Sequence, residues 1–367
     1  MKIKGLTITV LTLVFVVSLG LSPVLLAQEA QAEQEQAKIY IPDAVKAVMM
    51  EGAQTQEPRL DIPFSFVTNY FMPAQQAMHT VFFFKVKNSD LGFAPLVADT
   101  PAVKEGEEKE EQEVSSFEET PARLQCRANV FLRITQVNGN INKEIFVPLN
   151  IQVDGKDYNP DKEVIYSVGY PLPAGSYLLT MAITSMDLQK IGMQFHNFTL
   201  PDMAAATDLD TTSIFFVKKV DRMATPEMTA EIHPDFFTYS VLQMTPNLDN
   251  SFAAGEMLDI FYFIMGSQPN ATQQYDIDVN YEVFDAEDKI AIRYPAAKYN
   301  APIVSQPLPL KQTVIIRSTD DKGEQTEKTE ERDLSAGKYY LVMNIKDNIS
   351  GKTLMKKVEF TMKEAIQ

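Results

Sequence analysis

Residues 172–200 read LPAGSYLLTMAITSMDLQKIGMQFHNFTL, and residues 334–362 repeat this pattern as LSAGKYYLVMNIKDNISGKTLMKKVEFTM, without a gap and at an offset of 162 (334 − 172). Each copy contains the turn L-x-A-G-x-Y, a run of alternating apolar residues, a polar turn and a second run with Phe-Thr at its end, at Phe198-Thr199 and Phe360-Thr361. Alternation with a period of two is typical of a half-buried β-strand. Each copy therefore predicts a β-hairpin that closes a sandwich of two sheets.

The glycine and the tyrosine of the repeated turn have a physical reason to occur together. Gly175 and Gly337 lack a Cβ and can adopt the positive φ that a tight turn requires. Tyr177 and Tyr339 follow two residues later, and in immunoglobulin-like sandwiches a tyrosine at this corner donates its hydroxyl back to the backbone. An ordinary hairpin with a half-buried tyrosine is the alternative. The duplication predicts an all-β fold with two tandem Ig-like β-sandwich domains after a signal peptide.

Composition restricts the classes of function. The chain has 367 residues, which suits two domains of ordinary size. Its net charge of −16 would repel phosphate backbones, so we expect no nucleic-acid partner. The single cysteine, Cys126, excludes an intramolecular disulfide, so stability must come from core burial.

The N-terminus has the form of a secretory signal peptide. Lys2 and Lys4 precede an apolar run at residues 6–26, and small residues follow it at Ala27 and Ala32. We therefore predict export, with residues 1–32 as the signal peptide and a periplasmic or extracellular location. An uncleaved membrane anchor is the alternative, because the run is nearly long enough to span a bilayer. After cleavage, we expect no membrane span.

The rest of the chain divides by composition. Apolar residues at helical spacing in Ile41–Met50, with Gly52 after them, predict a short helix that packs on its own sandwich or presents a Met-rich face to a partner. A Glu-rich segment has too few apolar residues to order itself, and a Pro-containing segment without periodicity fits a linker. The predicted parts are an N-terminal segment at 33–60, a first domain at 61–222 with the acidic loop at 104–119, a linker at 223–235 and a second domain at 236–363.

Two aromatic runs occupy the same order in the two predicted domains. Phe82–Phe84 lies in the first and Ile260–Phe263 in the second, so we expect the duplication to cover whole domains. The first run is rich enough in phenylalanine to be buried on both faces of its sheet. Two domains joined through a linker are expected to unfold as separable units.

A search for catalytic patterns gives no support for an enzyme. The three histidines, His79, His196 and His233, do not form a metal-binding pattern, and core or edge positions suit them better. Cys126 alternates with apolar residues and fits a small core residue rather than a nucleophile. No G-x-S-x-G elbow, Gly-rich phosphate loop or C-x-x-C pair occurs. We therefore expect no enzyme activity and no cofactor.

One loop has the oxygen-rich composition of a calcium site. Asp157, Asn159, Asp161 and Glu163 stand on alternate residues, and Ca²⁺ prefers such oxygen ligands. The loop lacks the glycine and the distal glutamate of an EF-hand, and Pro160 fits a plain turn. A calcium site is a weak candidate, and a plain turn is the alternative.

The second copy of the repeat resembles a module of secreted bacterial proteins. Leu334–Tyr339, followed by Asp347 and then Ser350–Lys352, is similar to the C-terminal Ig-like sandwich of proteins with GWxTD or von Willebrand A-related domains. The GWxTD signature and the D-x-S-x-S metal motif are absent, as is tryptophan altogether. The resemblance therefore implies a sandwich fold and export, and it implies no activity.

These observations favour a non-catalytic exported protein of the cell envelope. It would bind or scaffold other envelope or extracellular proteins through the edges and loops of its Ig-like sandwiches. The alternative is a ligand-binding or hydrolytic protein with a site between its two domains. A closed polar pocket with clustered carboxylates would distinguish the second hypothesis from the first.

Overall fold

The computed structural model describes residues 41–96, 123–203, 205–319 and 325–364. The predicted signal peptide at 1–32 and the acidic loop at 104–119 lie outside the described residues. The described chain is all-β, with sheets packed as sandwiches, as predicted from the alternating patterns. No helix in these ranges is long and apolar enough to cross a membrane.

The first half, residues 41–203, contains one α-helix and nine strands within its described ranges. Short 3₁₀ turns occur at Asn88–Leu91 and Gly155–Asp157. The elements are α1 (Asp43–Thr55), β1 (Arg59–Leu60), β2 (Phe64–Ala74), β3 (Ala77–Lys87), β4 (Ala94–Pro95), β5 (Arg123–Gln136), β6 (Asn142–Asp154), β7 (Glu163–Leu172), β8 (Gly175–Ser185) and β9 (Ile191–Leu200).

The second half, residues 205–364, consists of strands within its described ranges. They are β10 (Asp210–Thr211), β11 (Phe215–Arg222), β12 (Ile232–Pro234), β13 (Phe237–Tyr239), β14 (Leu242–Pro246), β15 (Ser251–Phe252), β16 (Met257–Met265), β17 (Ile277–Asp285), β18 (Ile290–Arg293), β19 (Ala297–Tyr299), β20 (Ile303–Pro309), β21 (Lys311–Thr319), β22 (Gln325–Asp333), β23 (Gly337–Asp347) and β24 (Thr353–Met362). The pairs formed by these strands are antiparallel except for β15 with β24.

Two sheets of the first half enclose its hydrophobic core. One sheet has the order β1-β9-β8-β5-β4, with β6 also paired to β5, and the other has the order β12-β7-β3-β2. Phe82 and Phe84 point inward from β3, and they meet Leu132 of β5 and Met181 of β8 in one buried cluster. Alternation along β3 and β5 therefore places every second side chain between the sheets.

The second half repeats this arrangement. Its sheets have the orders β15-β24-β23-β17-β18, with β19 paired to β17, and β10-β16-β11-β14-β13, with β20 paired to β16. Ile260 and Tyr262 of β16 meet Tyr281 of β17 and Met343 of β23 in a second buried cluster. By pairing, β2, β3, β5, β7, β8 and β9 correspond to β11, β16, β17, β20, β23 and β24. The duplication is visible in the sequence at one hairpin, and the strand pairing extends it to six strands of each half.

A third cluster joins the two halves. Alternate residues of β3 and β16 point away from their own cores, so Phe83 and Phe261 reach the opposite face. Tyr70 stacks on Phe215 with ring centroids 4.6 Å apart, and Phe237 packs edge-on against Phe83 at 5.7 Å. We call this set the junction cluster, and its buried members are Met72, Val81, Phe83, Phe215, Val217, Phe237, Met244 and Phe261.

The junction cluster explains why Phe82–Phe84 is buried on both faces. The sequence predicts this burial, and all three side chains are at most 1 % exposed. Residues from Ile41 onward form one compact unit rather than two. The structure gives no reason for the two halves to unfold separately, because the aromatic packing between them resembles a domain core.

The strand pairing differs from the division predicted at residues 222 and 223. Strand β11, assigned above to the first domain, pairs with β14 and β16 of the second half. The predicted linker at 223–235 contains β12, which returns to pair with β7 of the first half. Pairing between distant strands leaves no local pattern, so a segment with two prolines and no periodicity predicts a linker even where it contains a short strand.

Helix α1 packs on the outer face of the first half, as one of the two alternatives for this segment predicted. Val45 and Met49 bury against Phe131 and Met193. The prediction that the helix ends before Gly52 is wrong, because α1 continues through this glycine to Thr55. A Cβ at position 52 would lie 2.2 Å from Met193 Cε, so this glycine permits the close approach of helix and sheet.

Candidate functional site

The two predicted corner tyrosines occupy equivalent positions. Tyr177 Oη donates to the carbonyl oxygen of Pro173 at 2.8 Å, and Tyr339 Oη donates to that of Ser335 at 3.0 Å. The acceptors are themselves related by the offset of 162 (335 − 173). Gly175 adopts φ +149°, in the range that favours glycine, and Gly337 adopts +153°.

The rings at these corners also pack alike. Tyr177 stacks on Phe198 at a centroid distance of 5.3 Å, and Tyr339 stacks on Phe360 at 5.7 Å. Burial raises the pKa of both tyrosines, so each hydroxyl stays protonated and remains a donor at neutral pH. The corners are structural elements of the fold, and nothing in their geometry offers a binding position.

Removing either hydroxyl is expected to destabilise the protein. Tyr177→Phe and Tyr339→Phe should each lower the free energy of unfolding by about 0.5–1.5 kcal/mol, because each change removes a part-buried hydrogen bond to the backbone. Urea unfolding followed by fluorescence or circular dichroism measures the change. Tyr340→Phe is the control, since its half-buried ring keeps Lys357 Nζ at 3.8 Å. No loss at positions 177 and 339 would contradict the structural role of the corners.

The predicted calcium loop is arranged as a turn with surface ion pairs. Asn159 Oδ1 accepts a hydrogen bond from the backbone N–H of Asp161 at 2.9 Å. Asp161 lies 2.7 Å from Lys87 Nζ, and Glu163 lies 2.8 Å from Lys85 Nζ. The structure does not bring Asp157, Asp161 and Glu163 together as a ligand group. This geometry favours the plain turn over the calcium site.

Two of the histidines have structural partners. His79 is half-buried, and its Nε2 lies 3.1 Å from the carbonyl oxygen of Thr238. His196 Nε2 lies 2.9 Å from Asn69 Oδ1, with its ring between Phe66 and Phe198. Burial lowers the pKa of both imidazoles, so both are neutral at pH 7.

The only cysteine has the environment of a core residue. Cys126 is buried on β5, and its thiol donates to the carbonyl oxygen of Leu91 at 3.2 Å. Burial raises the pKa of the thiol to about 11. A thiol that stays protonated is a poor nucleophile, so the site does not fit cysteine catalysis.

The third histidine belongs to a group that the sequence analysis missed. His233 lies with Glu227 and Glu231, and their ligating atoms are all within 4.8 Å of one another. Among the described residues, this is the one group of three or more His, Cys, Asp or Glu side chains that converge in this way. The spacing Glu-x₃-Glu-x-His was a usable signal, but the segment had been interpreted as a linker.

The hairpin formed by β21 and β22 is largely exposed. These strands pair with each other through nine residue pairs, from Lys311 with Asp333 to Thr319 with Gln325. No other described strand pairs with them, so their outer backbone edges are free of sheet partners. Ile315 in the middle of β21 is 56 % exposed, although isoleucine is usually buried.

The hairpin is firmly attached at its base. Leu310 and Leu334 flank it, are buried in the core of the second half, and are joined by a hydrogen bond from Leu334 N to Leu310 O at 3.1 Å. A groove of about 470 Å³ lies beside this base. Its wall includes Arg293, Tyr294 and Lys311, so the groove combines an aromatic ring with charged side chains.

Two comparisons with known proteins give no relative whose function can be transferred to this chain. Neither the protein-family models nor the curated proteins contain a match to this chain. The resemblance of the repeated turn to modules of secreted bacterial proteins therefore stays a prediction. Function has to be argued from the geometry described above.

Proposed function

We propose that this chain is a non-catalytic exported protein of the cell envelope that binds or scaffolds other proteins. The observation that carries the proposal is the exposed hairpin, whose two strands have no sheet partner outside the hairpin in the described chain. The free N–H and C=O groups of such an edge are a template for another strand. The partner would be an extended segment of an envelope protein that adds to this edge.

The side chains of the hairpin suit a selective contact rather than aggregation. Val314 and Ile316 are half-buried on one face of β21, whereas Ile315 is exposed on the other face among charged residues. Arg317 forms an ion pair with Glu327 across the hairpin at 2.8 Å. Charged residues at a strand edge disfavour indiscriminate pairing, so a partner must offer matching charges as well as a free edge.

The body of the protein suits the role of a rigid support. The repeated strand pairing and the corner tyrosines support two Ig-like sandwiches, and the junction cluster fixes one against the other. Lys2, Lys4 and the apolar run at 6–26 support export to the periplasm or the exterior. The alternative of a ligand-binding or hydrolytic site between the domains has less support, because aromatic side chains fill that position.

Site-specific photocrosslinking tests the proposal. A photoreactive residue in place of Ile315 should give an adduct of one defined mass in intact envelopes. The matched control places the photoreactive residue at Met186, which is 59 % exposed on the first half. This control should not form the adduct that position 315 forms. The same adducts from both positions, or none from 315, would overturn the proposal.

A deletion separates loss of contact from loss of fold. Because Leu310 O and Leu334 N lie 3.1 Å apart, a short Gly-Ser turn can replace residues 311–333 without moving the core. This variant should unfold at nearly the same temperature as the full chain and should fail to retain the partner identified by crosslinking. Retention of that partner would exclude the hairpin as the contact.

A further inference from the structure

Glu227, Glu231 and His233 form a compact group beside strand β12. His233 Nε2 lies 2.9 Å from Glu227 Oε1 and 3.0 Å from Glu227 Oε2, and Glu231 places a carboxylate oxygen within 4.8 Å of both partners. His233 and Glu227 are half-buried, whereas Glu231 is exposed. The group is thus open to solvent on one side and supported by protein on the other.

Neighbouring residues hold two of the three side chains in place. Thr238 Oγ1 donates to Glu227 Oε2 at 2.5 Å, which orients that carboxylate. The His233 ring stacks on Phe236 with centroids 4.6 Å apart, and its backbone pairs with Ser167 of β7. Outer partners that fix a carboxylate and an imidazole are typical of metal sites.

The charges of the group favour a bound cation. Two carboxylates converge here, and in the described chain no lysine or arginine forms an ion pair with either of them. A divalent ion in the same position would neutralise both carboxylates, and the histidine would bind it in the neutral form.

We propose that Glu227, Glu231 and His233 bind one divalent transition-metal ion of the zinc class. One imidazole nitrogen with two carboxylate oxygens suits Zn²⁺ better than Ca²⁺ or Mg²⁺, which prefer oxygen ligands alone. Ligands of a tetrahedral zinc ion at about 2.0 Å lie about 3.3 Å apart, so the pair formed by His233 and Glu227 needs only a small separation. Three protein ligands leave a fourth position for water or for a side chain of a bound partner.

Metal binding at this position would stabilise the junction between the halves. His233 stands on a strand that pairs with the first half, while Thr238, which holds Glu227, stands on β13 of the second half. The ion would therefore connect the loop at residues 223–231 to both halves. A ligand that binds only the folded state raises its stability by mass action.

Zinc titration of the untagged, chelator-treated full chain tests the inference. We expect about one equivalent of tightly bound Zn²⁺ by equilibrium dialysis with elemental analysis, and a rise of several degrees in melting temperature at saturation. Mg²⁺ at the same concentration should neither bind tightly nor displace zinc. This readout does not depend on any partner of the hairpin.

Two variants and one control complete the experiment. Glu231→Gln keeps the size of an exposed side chain and should weaken zinc binding at least tenfold, with an unchanged melting temperature in chelator. His233→Ala should abolish tight binding. His196→Ala is the control, because this histidine bonds to Asn69 away from the group, and it should bind zinc like the unmodified chain. Affinity unchanged by both Glu231→Gln and His233→Ala, or no tight binding to the unmodified chain, would overturn the proposal.

Discussion

Replacing Phe83 by alanine is expected to lower the free energy of unfolding by about 3–5 kcal/mol, because the change opens a cavity in a packed aromatic cluster. Phe83 is 1 % exposed, although it points away from the core of its own half. Its ring lies 5.1 Å from that of Tyr70 and 5.7 Å from that of Phe237, which belongs to the second half. Calorimetry should show a single transition that moves to lower temperature as a whole.

A double-mutant cycle identifies the contact between the halves. Phe83→Ala and Phe237→Ala should couple, because each removes a neighbour of the other. Phe93→Ala with Phe237→Ala is the control cycle, since Phe93 packs against the core of the first half and should be additive with Phe237. Two calorimetric transitions, with Phe83→Ala lowering only the melting temperature of the first half, would show that the halves unfold independently.

The sequence predicted those parts of the fold that depend on local alternation. The repeat at residues 172–200 and 334–362 forms two hairpins with the same register, in which Tyr177 pairs with Phe198 and Tyr339 with Phe360. Burial of Phe82–Phe84 on both faces also followed from composition. A period of two in apolar residues is set by the strand itself, so one sequence is enough to detect it.

The junction could not be predicted in the same way. The residue type of Phe83 predicts that its side chain is buried. It does not predict which surface the side chain packs against. Strand β11 lies within the predicted first domain, where its sequence fits a last strand or a bridge to the next domain, and nothing in that sequence shows that it pairs with β14 and β16. The partner of a strand depends on the whole topology, and this information is distributed over distant residues.

The same limit applies to the candidate sites. The calcium loop was selected because its oxygen-bearing residues alternate, but Lys85 and Lys87, some 70 residues earlier, lie beside two of its carboxylates. The group at Glu227 and His233 was missed because it lies in a segment without periodicity. Composition shows which side chains could bind a ligand, whereas convergence depends on the fold.

Substitution of Asp347 is the second change expected to cause a large loss of stability. This aspartate occurs in only one copy of the repeat. Its side chain is fully buried, and it accepts hydrogen bonds from Gln268 N at 3.0 Å, Ile349 N at 3.1 Å and Ser350 Oγ at 2.6 Å. At the offset of 162, the first copy has Ser185 in this position (347 − 162). The carboxylate thus attaches the loop that contains Gln268 to the turn of the second hairpin.

Asp347→Ala should lower the free energy of unfolding by about 3 kcal/mol at pH 7, because three donors to a charged group lose their acceptor. Asp187→Ala is the control, since Asp187 accepts from Ser185 and Gln189 in the corresponding turn but is exposed, and its loss should have a small effect. The urea concentrations at the unfolding midpoints of Asp347→Ala, Asp187→Ala and the unmodified chain measure these losses. A loss for Asp347→Ala no larger than that for Asp187→Ala would contradict the structural role of Asp347.

The pH dependence of this effect has a defined sign. Burial raises the pKa of the Asp347 carboxyl, but the hydrogen bonds from Ser350, Gln268 and Ile349 outweigh burial and hold the pKa below its ordinary value. The group therefore stabilises the fold fully above the pKa of unfolded aspartate, about 3.9, and this contribution is lost as the pH falls through the lower folded value. The difference between the unmodified chain and Asp347→Ala should be constant from pH 8 to about pH 5 and should shrink below about pH 4. A difference that stays constant to pH 2 would show that the charge of Asp347 does not contribute.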